Sequence, residues 1–148
     1  MYSTWLSDEQ QHVWRWYLAM VSRLQVAMNR QLQRDCGLSL ADYEVLVELS
    51  ERGPLRMYRL ADALAWEQSR LSHQLRRMRD RGLVVRHGSD EDRRGATVDL
   101  TQAGRAALEL AAPGHAELVR SVVFDGMPAA RLRAFGAVIE TVLERLDE

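Results

Sequence analysis

Between Leu60 and Ala106 the chain reads LADALAWEQSRLSHQLRRMRDRGLVVRHGSDEDRRGATVDLTQAGRA, and no other stretch narrows the choice of folds as far. Helical patterning is carried first by Tyr58–Leu64 and then by Glu67–Arg81, with only Ala65 and Trp66 between them. Leu71, Leu75 and Met78 recur at i, i+4 and i+7, which gives the second run one inward face. Gly82 supplies a helix stop. Beyond it, Leu83–His87 and Ala96–Leu100 hold apolar or β-branched residues between turn signals, which predicts two strands. The connecting GSDEDRRG is too long and too charged for a tight turn. Two close-set short helices followed by a hairpin with a charged tip make the layout of a winged helix-turn-helix. The predicted fold class is mainly α with a small β-wing (α+β).

The flanks are helical. Ser7 and Gln10 have the spacing of a capping box, so a long helix is predicted from there to about Asp35, with Gly37 as its stop. Its apolar positions, Val13, Trp14, Tyr17, Leu18, Met20, Val21, Leu24 and Met28, span an arc wider than one intramolecular stripe needs. Ser39 and Asp42 start a second helix that ends near Gly53-Pro54, and Leu55–Met57 is a short candidate strand. Thr101 caps a fifth helix to Ala112, where Pro113-Gly114 should kink or interrupt it. Helix resumes to about Phe124, breaks at Gly126–Pro128, and runs again from Ala129 to Leu146. Leu132, Phe135, Val138, Ile139, Val142, Leu143 and Leu146 repeat there at helical spacing and need something to pack on. A homodimer joined by the terminal helices meets that need. The expected organisation is one domain over 1–148, with dimerisation helices at 1–36 and 113–148 and a DNA-binding lobe with its connecting helix at 37–112.

Composition bounds the rest. At 148 residues, 47% apolar and 28% charged, the chain has the profile of one folded soluble domain. It shows no membrane-length apolar run and no leader pattern, and its single cysteine, Cys36, suits a reducing cytoplasm. The net charge of −1 conceals an uneven distribution. Arg52–Arg105 holds 12 arginines against 7 acids, a local +5, while the remainder holds 8 against 14. Every one of the 20 basic residues is arginine, whose planar fork suits phosphate and guanine better than a lysine does.

With Leu71, Leu75 and Met78 inward, the opposite face of the Glu67–Arg81 helix carries Ser69, His73 and Arg76, flanked by Gln68, Arg70, Ser72 and Arg77. The second helix of a helix-turn-helix lies in the DNA major groove. Arg76 is the best-placed donor for a bidentate guanine contact and Gln68 is suited to adenine. Ser69, near the helix start, suits a phosphate. At the wing tip, Arg93 is assigned to a narrow A·T-rich minor groove and Arg94 to an internal brace against an acid.

These residues give the chain its resemblance to the MarR (multiple antibiotic resistance) family of transcriptional regulators. The segments that carry it are GLSLADYEVL from Gly37, LADAL from Leu60, GLVVR from Gly82, DEDRR from Asp90 and LTQAGR from Leu100. Together they cover nearly the whole chain in order. The resemblance implies a homodimer on double-stranded DNA at a palindromic operator, usually a repressor, released by a small aromatic or phenolic effector or by cysteine oxidation. Trp66 departs from the small aliphatic residue usual at that turn, which bears on the angle between the two helices.

In MarR relatives an effector cleft lies between the dimer helices and the DNA-binding lobe. His12, Trp16 and Arg23 share one flank of the first helix, and with Tyr43 they form a candidate set for an aromatic carboxylate or phenolate. Trp16 covering the dimer interface and Arg23 paired with a carboxylate is the alternative. Cys36 is either a redox sensor or an inert helix-end residue; Arg34 favours its thiolate and Asp35 opposes it. His12, His73, His87 and His115 lack metal-ligand spacing, so no metal or other cofactor is expected. No nucleophile elbow, phosphate loop or dinucleotide fingerprint appears, so an enzyme is not expected. The remaining alternative is a winged-helix module whose basic face binds an acidic protein.

Overall fold

A computed structural model of the chain describes residues 4–88 and 96–148. Helix α1 (Asp8–Cys36) opens on the Ser7–Gln10 capping box, both of whose hydrogen bonds form, and closes on Gly37 at φ 68°. Helix α2 (Leu40–Arg52) opens on a second complete box, Ser39–Asp42. Strand β1 (Leu55–Arg56) leads into α3 (Met57–Leu64) and α4 (Gln68–Asp80). Strands β2 (Val84–His87) and β3 (Thr97–Leu100) form the hairpin. Helices α5 (Gln102–Val119) and α6 (Ala129–Leu146) complete the chain. The sheet is antiparallel in the order β1-β3-β2, with Val84 opposite Leu100 and Leu55 opposite Val98.

One core joins these elements. Leu32 of α1, Leu46 and Leu49 of α2, Leu60 of α3, Leu71 and Met78 of α4, Val98 of β3 and Ala111 of α5 are all essentially buried. Burying such side chains contributes about 1.5–3 kcal/mol each before entropy is charged. The LTQAG motif closes the sheet onto this core. Thr101 accepts from the Gly104 amide at 2.9 Å and donates to the Gly82 carbonyl. A Cβ built at Gly104 would meet the Leu83 carbonyl oxygen, so only glycine lets α5 start this close to the hairpin.

The expected interruption at Pro113-Gly114 is corrected. Helix α5 runs through Pro113 to Val119 and continues as a single π-helical turn, Arg120–Phe124. Its inward face is continuous across the proline, with Ala111 buried and Gly114 packed directly onto the Gln31 and Asp35 side chains. Pro113 and Glu109, whose carbonyl the proline leaves unserved, lie on the exposed side, where that carbonyl is open to solvent. Packing against α1 therefore overrides the local signal.

At the ends the helices outrun the core. The buried residues of α1 are Gln31 and Leu32, near its C-terminus, and within 129–148 only Phe135 is even half-buried. Trp14, Trp16, Tyr17, Val138, Ile139, Val142 and Leu143 are exposed. No helix among the described residues is long and apolar enough to cross a membrane.

Candidate nucleic-acid interface and effector groove

Helix α4 is seated by one face. Leu71, Gln74, Leu75 and Met78 are buried, while Gln68, Ser69, Arg70, Ser72, His73, Arg76 and Arg77 are all exposed. The seven α4 residues selected from helical phase therefore share the outer side of one helix. Arg93 and Arg94 lie outside the described residues.

The turn into α4 is built on Ala65, the only non-glycine residue with positive φ (56°) among the described residues. Trp66 packs half-buried against the core, and the Arg70 guanidinium lies 4.2 Å over its ring. The bulky turn residue thus holds an α4 arginine by cation–π stacking.

A polar network holds the other side of α4. The buried Asp42 carboxylate accepts from the Ser39 amide at 2.9 Å, from Gln74 Nε2, and from Arg81 Nη1 at 2.8 Å. Arg81 Nη2 donates to the Gly37 carbonyl at 2.8 Å, and Arg77 Nη2 to Gln74 Oε1 at 2.9 Å. Asp42 is legible in the sequence only as a capping residue; its second role, tying α2 to α4, spans a separation that local pattern does not reach. Arg79 and Arg86, with Ser72 and Arg76, line a depression of about 150 Å³ between α4 and the sheet. The recurrence of arginine three positions after Arg76 is the sequence signal for Arg79.

A larger groove of about 380 Å³ lies among α1, α2, α3 and α5, lined by Met28, Leu40, Tyr43, Glu44, Val47, Glu48, Ala63, Leu64 and His115. Of the four effector candidates it contains Tyr43 alone. His12 and Trp16 meet edge to face at 4.5 Å on the exposed N-terminal part of α1, and Arg23 is exposed farther along that helix. They share a helix flank as predicted, but within this chain that flank lies away from the groove. His115 lines the groove instead, its ring 4.5 Å from that of Tyr43. Its position just after Pro113-Gly114 concealed it, because the helix was expected to break there.

Burial sets the titration of the groove. It lowers the pKa of His115, whose buried Nδ1 has no hydrogen-bond partner, and raises that of the Tyr43 phenol. It also raises that of the Glu44 carboxyl, which the Arg70 charge partly opposes. Cys36 is half-buried, and its Sγ donates to the Leu32 carbonyl at 3.1 Å. No group of three or more His, Cys, Asp or Glu among the described residues is arranged to hold a metal.

Two helices set by a tight turn, an exposed arginine-rich second helix and a hairpin beside it define a winged helix-turn-helix protein. Among solved structures, the chain is similar to Sco3205, a MarR family transcriptional regulator from Streptomyces coelicolor solved in complex with DNA. The TM-score is 0.90 at 38% identity, covering 99% of this chain and 93% of that one. It is also similar to AbsC of the same organism, a MarR family transcriptional regulator, with TM-score 0.89, 35% identity and coverage of 98% and 99%. The HTH-type regulator YfiV of Bacillus subtilis is 28% identical over 119 residues, 79% of this chain and 73% of that protein. The MarR family pattern itself matches residues 38–95. The chain belongs to the MarR family and is a transcriptional regulator.

Proposed function

We propose that the chain is a cytoplasmic, homodimeric repressor that binds a palindromic operator in double-stranded DNA and is released by a small effector. The observation that carries the reading is α4, which buries one face and presents Ser69, His73 and Arg76 on the other, with Gln68, Arg70, Ser72 and Arg77 beside them. Sco3205, 38% identical, was solved with DNA, which supports the same partner here. In this reading α4 enters the major groove, Arg76 reads guanine, Gln68 reads adenine, and Arg93 or Arg94 of the wing reaches the minor groove. Residues 37–112 form the reading lobe, and residues 1–36 and 113–148 pair the two copies. The exposed apolar faces of α1 and α6 supply what such pairing needs.

Titration of the full chain with random duplex DNA at rising salt tests the partner. Log affinity should fall linearly with log salt as bound counterions are released, and no binding at low salt would leave a protein-protein module instead. On the specific operator, Arg76→Ala should cost about 1–3 kcal/mol and relax preference at one position per half-site. A uniform loss across sequences would make Arg76 a phosphate contact.

A further inference from the structure

The groove beside α2 has a charge opposite to the one an aromatic carboxylate requires. Arg23 and His12, the side chains suited to an anion, do not line it, and no arginine does. Its polar groups are Tyr43, Glu44, Glu48 and His115. Glu48 already accepts from Arg52 at 2.8 Å. Glu44 makes neither ion pair nor hydrogen bond among the described residues, and His115 Nδ1 is a buried polar atom lacking a partner. The groove therefore offers an unpaired carboxylate and an unpartnered imidazole nitrogen, and unmet polar groups select ligands that complete them.

We propose that this groove takes a small organic cation, an ammonium whose N–H groups reach the Glu44 carboxylate and His115 Nδ1 while its apolar part lies against Tyr43, Met28 and Val47. Its volume of about 380 Å³ falls in the range of small-molecule sites. The Tyr43 ring adds a cation–π face. An anionic ligand would bring a second negative charge beside Glu44 with no arginine in the lining to offset it, which costs affinity in a partly desolvated site. The same carboxylate gives the ligand a route to α4. Arg70 is the positive charge acting on Glu44 and is stacked on Trp66 at the start of α4. A bound ammonium competes with Arg70 for that field, so ligand and DNA affinities are coupled reciprocally. The inference rests on the effector reading above and narrows it to a charge class.

Calorimetric titration of the full chain with phenethylammonium, phenylacetate and 2-phenylethanol, near-isosteres of three charge types, tests it. Phenethylammonium should bind at least about tenfold more tightly than phenylacetate, the scale of one charge-assisted hydrogen bond. Glu44→Gln should remove that advantage and Glu109→Gln, on the exposed side of α5 and outside the groove, should keep it, with circular dichroism confirming the fold of each. His115→Phe, which retains a ring beside Tyr43, should weaken phenethylammonium several-fold and provides the test if Glu44→Gln does not fold. Preferred binding of phenylacetate, or indifference of the ammonium to both Glu44→Gln and His115→Phe, overturns the charge class and leaves the effector reading intact. Failure of all three probes to bind the folded chain overturns both.

Discussion

At Gly104 the chain has room for a hydrogen and nothing larger, because an added Cβ would fall on the Leu83 carbonyl oxygen. Backbone cannot rotate aside as a side chain can, so Gly104→Ala should cost at least about 1–3 kcal/mol, read as a lower urea midpoint. An unchanged midpoint would mean α5 shifts freely from the hairpin. His115 and Glu44 pull stability in opposite directions with pH. Burial lowers the His115 pKa below 6.5, so on acidification the unfolded chain takes that proton first and the folded state loses stability from about pH 6.5 downward. Burial raises the Glu44 pKa above 4.5, so the folded state takes that proton first and gains stability as pH falls toward 4.5. His115→Phe should therefore flatten the loss of thermal stability between about pH 7 and pH 5. An identical slope in the variant would exclude a protonation penalty at His115.

At the scale of the element, α4 is held by more than its leucines. Asp42 starts α2 and also holds Gln74 and Arg81, so the first turn of one helix sets the height of another. Removing the carboxylate leaves the buried Gln74 amide without its acceptor. Asp42→Ala should cost about 1–3 kcal/mol in urea unfolding. Because Asp42 touches no phosphate in the proposed interface, the variant should weaken operator binding while leaving the salt slope unchanged. A reduced slope would mean Arg77 or Arg81 has lost a phosphate contact through it. Pro113 gives the converse lesson, since helix α5 survives a helix-breaking residue where one face is packed and the other is wet.

At the scale of the whole molecule, apolar surface has been left uncovered. Trp14, Tyr17 and Leu18 on α1 and Ile139, Val142 and Leu143 on α6 are all exposed, and large exposed apolar patches mark interaction sites. A second copy is the proposed cover. Sedimentation should find the wild-type chain dimeric at micromolar concentration, and Ile139→Glu with Val142→Glu should shift it to monomer. The lobe should keep its helical circular dichroism, because α6 contributes nothing to the buried core. A monomeric wild type would remove the pairing on which a palindromic operator depends.

The sequence by itself determined the elements and their order. The capping boxes at Ser7 and Ser39, the Gly37 stop and the Thr101 cap are local hydrogen-bonding chemistry, and each forms as written. The outer face of α4 followed from the 3.6-residue period once Leu71, Leu75 and Met78 were set inward. Tertiary structure decided whatever depends on residues far apart in the chain. It carried α5 through Pro113 by packing Gly114 on α1, and it joined Asp42 to Gln74 and Arg81. It also brought His115 to Tyr43 and left His12, Trp16 and Arg23 outside the groove. Periodicity specifies which face of a helix turns inward, but only packing specifies what that face meets, and the chemistry of the groove lies in that meeting.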